Sequence, residues 1–154
     1  SVSIGQGYLL VTPLQVARMV SAICSGYLAK PRLLQQEDVE RQRLEISHET
    51  LTFLRGAMKE AVVNGTGRIL SRISSCDVYA KTGTAQTCSL TKEKKEKSDL
   101  EHGWFAGYFS CHGKKPLALV VLVENAGSSR PAVLLADKFL RGYAAMLERG
   151  TDAG

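Results

Sequence analysis

The sequence has no apolar stretch long enough to span a bilayer, and Ser1 to Val11 carries no signal-peptide pattern. It has no Cys-x-x-Cys pair, and its three histidines complete no zinc spacing with Cys24, Cys76, Cys88 or Cys111, so no metal site is expected. Blocks of like charge are also missing. The net charge is +5 over 154 residues, but the basic residues are scattered. The one run, Lys92 to Lys97, alternates with Glu and reads as a solvated loop rather than a nucleic-acid patch. The GxxxxGK[ST] spacing is lacking too, so the glycines of Asn64 to Arg68, NGTGR, read as a helix-to-helix turn and not as a phosphate cradle. With 44% hydrophobic and 23% charged residues the composition is that of one soluble globular domain. The chain begins at Ser1 rather than Met, which leads us to expect a piece of something longer.

Helix signals are clear at three places. Thr12 suits an N-cap, Pro13 a first helical position and Gln15 the third position of a capping box, with Leu14, Ala17, Val20, Ala22 and Cys24 on an apolar face and Gly26 placed to end the helix. Cys24 on that face reads as a small core residue. Ser47 caps a second helix through Leu51, Leu54, Met58, Ala61 and Val62, and Asn64-Gly65 stops it. Pro131 opens a third, on which Leu135, Phe139, Leu140, Tyr143 and Leu147 recur at three- and four-residue steps. Between the first two, Tyr27 to Leu34 reads as a short extended segment and the charged stretch Gln35 to Glu45 as a surface excursion.

Three strands are expected between the second and third helices. Asp77 to Gln86 opens with Val78 and Tyr79, strong strand formers. His102 to Cys111 holds four aromatic residues, and Leu117 to Val123, LALVVLV, reads as a strand buried on both faces. The turn His112 to Lys115 joins the last two. Successive strands joined this way run antiparallel, so the expected fold is α+β, a three-stranded antiparallel sheet covered by helices. Cys76 and Cys88 bracket the first of these strands and could pair in a disulfide if the chain doubles back.

Within that strand Lys81, Thr82, Gly83 and Thr84 carry the chemistry. Alternation puts Thr82 and Thr84 on one face and leaves Gly83 between them without a side chain, so a ligand can lie close to the backbone. Two hydroxyls, fixed peptide N–H groups and an ammonium suit an anionic, peptide-like substrate. Alternation also points Lys81 to the face opposite the threonines.

Five blocks carry a family resemblance: SIGQGYLLVTPLQVA at Ser3 to Ala17, NGTG at Asn64 to Gly67, AKTGTAQ at Ala80 to Gln86, HGWFAGY at His102 to Tyr108 and VVLVEN at Val120 to Asn125. In this order they resemble the C-terminal half of the transpeptidase domain of class B penicillin-binding proteins of the elongation type. The resemblance implies a partial penicillin-binding/β-lactamase-like fold, with residues 1–154 as the C-terminal portion of one such domain. It implies that Lys81 helps hold the catalytic hydrogen-bond network. Thr82 and Thr84 would bind the carboxylate of a D-Ala-D-Ala stem peptide or of a β-lactam, against the bare backbone of Gly83. The N–H of Thr84 would form half of an oxyanion hole. The implied partners are peptidoglycan stem peptides, β-lactams, the N-terminal remainder of the same protein and the elongation machinery. No cofactor, metal or nucleic acid is implied, and the expected location is outside a cytoplasmic membrane to which the parent is anchored.

The departures from the family bear on activity. Such enzymes need a serine in S-x-x-K and a second triad, S-x-N, upstream of K-T-G. No S-x-N occurs, and the single S-x-x-K, Ser89 to Lys92, comes after the K-T-G strand in a polar insertion and reads as a chance match. Adjacent Cys111 and His112 would face opposite ways on a strand and make a poor dyad. His102 could border the cleft or serve packing, and Glu124-Asn125 reads as turn chemistry. The alternatives are a non-catalytic interaction or regulatory module and a β-lactamase or β-lactam sensor with the same fold.

Overall fold

A computed structural model describes residues 9–34, 37–86 and 101–151. The element order is α1 (Pro13–Ser25), β1 (Tyr27–Ala29), β2 (Arg41–Arg43), α2 (His48–Val63), a 3-10 turn (Arg68–Arg72), β3 (Cys76–Gln86), β4 (Glu101–Cys111), β5 (Leu117–Val123) and α3 (Arg130–Thr151). The expected α+β class holds: β3, β4 and β5 form an antiparallel sheet in that order, with helices packed on it.

Local chemistry sets the helix ends. Thr12 and Gln15 form the full capping box, and Gly26, at φ 82, closes α1 in the left-handed conformation with its N–H on the Ala22 carbonyl. Ser47 caps α2 by accepting from the Thr50 N–H. The stretch expected as a surface excursion holds a strand, β2, whose residues pair with β1 from Tyr27↔Arg43 to Ala29↔Arg41. Its Arg-Gln-Arg composition hides a hairpin that backbone bonds at both ends hold in register, Leu44 N–H to Gly26 O at 2.9 Å and Lys30 N–H to Glu40 O at 2.9 Å.

The main sheet has two covered faces. On one, Val78, Ala80, Phe105 and Phe109 pack with Val62 of α2, Leu70 and Ile73 of the 3-10 segment, and Ala132, Val133, Ala136, Leu140 and Ala144 of α3. On the other, Tyr79 and Tyr108 stack with ring centroids 4.7 Å apart and lie with Val20 of α1 and Met58 of α2. The buried stripe of α3 is therefore rich in alanine, while Leu135 and Phe139 sit to its side, half exposed. Small residues let the helix approach β4, where Gly103 and Gly107 lie on the same sheet face as Phe105 and Phe109.

Two expectations need correction. β5 is not buried on both faces: among the described residues it is an outer strand, and Leu117 is 44% exposed. Its continuous apolar run is what suggests burial on both faces. Cys76 forms its disulfide with Cys111, not with Cys88. The two are directly opposed in the β3–β4 register, which brings their Cα atoms to 4.0 Å. Cys88 lies outside the described residues.

Candidate functional site

β3 carries the Lys81–Thr84 motif, and the register shows which way its peptide groups point. In an antiparallel pair, opposed residues alternate between hydrogen-bonded pairs and closer pairs whose N–H and C=O turn away from the partner strand. Cys76 and Cys111 form a close pair at 4.0 Å, and just outside them the His112 N–H donates to the Ser75 carbonyl at 2.9 Å. The alternation makes Thr82, Thr84 and Gln86 members of close pairs too, opposite Phe105, Gly103 and Glu101. Their N–H and C=O groups point away from β4. The other end of the ladder agrees, because the Glu101 carbonyl turns from β3 and accepts from the N–H groups of Ala126, at 2.8 Å, and Gly127, at 3.2 Å. Among the described residues no strand lies on the other side of β3, so Thr82 and Thr84 present their main chain along an outer edge of the sheet.

The side chains divide as alternation requires. Lys81 stands on the face opposite the threonines and is exposed, yet its ammonium folds back to donate to the Thr82 carbonyl at 2.6 Å. Because that carbonyl points to the outer edge, the charge ends beside the Thr82 and Thr84 peptide groups despite starting on the other face. Thr82 is 7% exposed and its hydroxyl lies 2.6 Å from that of Thr66. Thr84, one step beyond the covering elements, is exposed.

Glycines along the hairpin fall into two kinds. A Cβ on Gly107 would lie 2.4 Å from the Tyr79 carbonyl oxygen and 2.9 Å from the Ala80 Cβ, and one on Gly103 would lie 2.3 Å from the Ser128 carbonyl oxygen. Both positions are closed by the fold itself. A Cβ on Gly83 would meet only the Trp104 Cβ, at 3.6 Å, an ordinary contact, so the fold does not require glycine there. The bare surface at Gly83 is open to something approaching from outside.

Thr66 also belongs to the site, although the sequence pattern marks it only as part of a turn. The NGTG turn comes directly after α2. A Cβ on Gly65 would come within 2.8 Å of the Ala61 carbonyl oxygen, and the Gly67 N–H donates to that oxygen at 3.0 Å. The glycines thus seat the turn against the last turn of α2, and Leu70, fully buried, anchors the 3-10 segment on its far side. The occurrence of NGTG in fixed order with the K-T-G strand was the available signal.

The remaining candidates fall elsewhere. His102 accepts the Asn125 N–H on Nδ1 at 3.0 Å and so ties β4 to the turn after β5, where Asn125, at φ 52, and Gly127, at φ 70, adopt left-handed backbone. Cys111 is consumed in the disulfide, and His112 faces Glu148 at 3.4 Å. Ser89 and Lys92 lie outside the described residues. A cavity of about 320 Å³ between α1, α2 and the sheet is lined by Cys24, Arg55, Tyr79 and Tyr108, away from the Lys81–Thr84 edge. Burial there pushes the Cys24 thiol up against the opposing pull of Arg55. Tyr108 is pushed up to about 12 by burial, reinforced by Cys24 and Tyr79.

These features can be set beside known proteins. Peptidoglycan D,D-transpeptidase MrdA of Haemophilus influenzae is 31% identical over 165 residues, covering 93% of this chain and 25% of the relative. Its namesake in Acinetobacter baumannii is 32% identical over 155 residues, covering 88% and 23%. The chain thus spans about a quarter of the length of these curated relatives. The apo transpeptidase domain of Burkholderia pseudomallei penicillin-binding protein 3 shares the fold at a TM-score of 0.59 and 20% identity, covering 89% of this chain and 44% of that one. The model of the penicillin binding protein transpeptidase domain matches residues 1–140, nearly the whole described fold with the Lys81–Thr84 edge inside it, and the chain belongs to that family.

Proposed function

We propose that this chain forms the substrate-binding wall of a serine D,D-transpeptidase that cross-links peptidoglycan stem peptides and is acylated by β-lactams. The observation that carries the reading is the outer edge of β3, where the Thr82 and Thr84 peptide groups, the Lys81 ammonium and the uncovered backbone of Gly83 converge. The hydroxyls of Thr82 and Thr84 donate to the substrate carboxylate, and the Lys81 charge strengthens that binding and the hydrogen-bond network around it. A serine supplied by the remainder of the protein attacks the D-Ala-D-Ala carbonyl. The Thr84 N–H, aimed outward, and the serine's own N–H hold the oxyanion as it forms. Collapse of the tetrahedral intermediate breaks the peptide bond and releases D-Ala. The amine of a neighbouring stem peptide then takes the acyl group and returns the serine to its hydroxyl form.

The Cys76–Cys111 disulfide supports an oxidising, extracytoplasmic setting on the cell-wall side of the membrane. Among the described residues no helix is long and apolar enough to cross a membrane; by family resemblance the parent is anchored, through the remainder of the protein. That remainder and the elongation machinery are the expected protein partners. The test is covalent labelling with a fluorescent penicillin. The full-length protein is expected to take one label and this chain alone none. An unlabelled full-length protein would refute the transpeptidase reading, and stoichiometric labelling of the isolated chain would refute the absence of a nucleophile from it.

A further inference from the structure

We infer that Thr66 is a positioning residue whose hydroxyl sets the direction of the Thr82 proton, so that Thr82 can donate to an incoming carboxylate. The inference rests on the reading of Thr82 as a carboxylate contact. The two hydroxyl oxygens are 2.6 Å apart, and among the described residues each is the other's one side-chain hydrogen-bond partner. A hydroxyl has one proton to donate and two lone pairs to accept with. The pair therefore has two arrangements. If Thr82 donates to Thr66, it turns lone pairs toward the carboxylate and repels it. If Thr66 donates to Thr82, the Thr82 proton is left for the anion, and a bond to a charged acceptor is the stronger kind.

The geometry makes Thr66 more than a chance neighbour. Thr82 is almost fully buried, so few groups besides the Thr66 hydroxyl can fix the direction of its own. Thr66 itself is exposed, and its place is held by backbone rather than by its own side chain. The Gly67 N–H on the Ala61 carbonyl, at 3.0 Å, and the Arg68 N–H on the Gly65 carbonyl, at 3.2 Å, brace the turn on either side. Gly65 allows the close approach to α2 that brings the turn beside β3. The arrangement couples the end of α2 to the anion-binding strand through one pair of hydroxyls.

The test compares T66V, T66S and T82V in the full-length protein. Acylation rates are measured with benzylpenicillin and with its methyl ester, which lacks the carboxylate charge. The ratio of the two rates is taken within one sample, so the folded fraction cancels and a merely structural defect leaves it unmoved. T82V is expected to lower the ratio. T66V is expected to lower it about fivefold, the factor that corresponds to roughly 1 kcal/mol of hydrogen bonding. T66S keeps the hydroxyl and should restore it. A wild-type ratio in T66V together with a lowered one in T82V overturns the role of Thr66 alone. An unchanged ratio in T82V overturns the carboxylate reading of Thr82 and the role of Thr66 with it.

Discussion

Replacing Gly83 by Ala should leave the fold intact and damage the site, a combination that most glycine substitutions in a sheet do not produce. The added Cβ would meet only the Trp104 Cβ, at 3.6 Å, and Gly83 has no positive φ that an alanine would resist. Alanine also lowers the conformational freedom of the unfolded chain. The net change in stability should then be neutral to favourable, by about 0.4–1 kcal/mol. The methyl group nevertheless stands on the uncovered face of the strand between Lys81 and Thr84. A ligand lying against that backbone would have to move away or be compressed, at a cost of about 1–3 kcal/mol, which is roughly a fivefold to hundredfold loss in acylation rate. The comparison is G107A, where the new Cβ would lie 2.4 Å from the Tyr79 carbonyl and 2.9 Å from the Ala80 Cβ and must push β3 off β4. Thermal melting and penicillin acylation of both variants, in the full-length protein, decide the matter. G83A should melt at or above wild type and react slowly, and G107A should melt lower. A destabilised G83A, or one that reacts at the wild-type rate, would refute the claim that its open surface serves a ligand.

Two further outcomes concern the interior. The Cys76–Cys111 bridge closes 35 residues of chain, and by loop entropy its loss in C76A/C111A should cost about 3–4 kcal/mol, read as a lower urea midpoint; a non-reduced digest should link the two cysteine peptides, and equal midpoints would count against the bridge. Tyr108, pushed up to about 12 from 10.0, keeps its neutral form in the fold, so its contribution to stability is complete below pH 10 and is lost as pH rises from 10 toward 12. Ultraviolet titration should show one phenol ionising late in the wild type and missing in Y108F, and a Tyr108 that titrates with the ordinary phenols would contradict its burial.

The parts of this fold that were legible in the sequence are those written in neighbouring residues. The α1 ends needed only Thr12, Gln15 and Gly26, whose bonds span three or four positions. The β3–β4–β5 order came from consecutive strand signals. The features that were missed depend on distance along the chain. β2 is three charged or polar residues made into a strand by partners more than ten positions away. The Cys76–Cys111 pair needs the hairpin register, which the intervening segment 87–100 leaves undetermined from sequence. The place of Lys81 was half legible: alternation gave the correct face, but its return to the outer edge depends on the direction of the Thr82 carbonyl, a property of the ladder rather than of any residue. Thr66 was overlooked for the same reason, since its partner is sixteen positions on.

The ladder also bears on how this protein can change over time. Thr82 and Thr84 lie an even number of steps from Cys76, and that parity alone aims their peptide groups outward and Lys81 to the opposite face. One residue inserted or deleted between Cys76 and Lys81, with the bridge in place, would invert the phase of the strand, burying the lysine and turning the Thr82 and Thr84 amides toward β4. A length change of one residue before Lys81 should therefore disrupt this edge of the sheet, where a change of two would keep the phase.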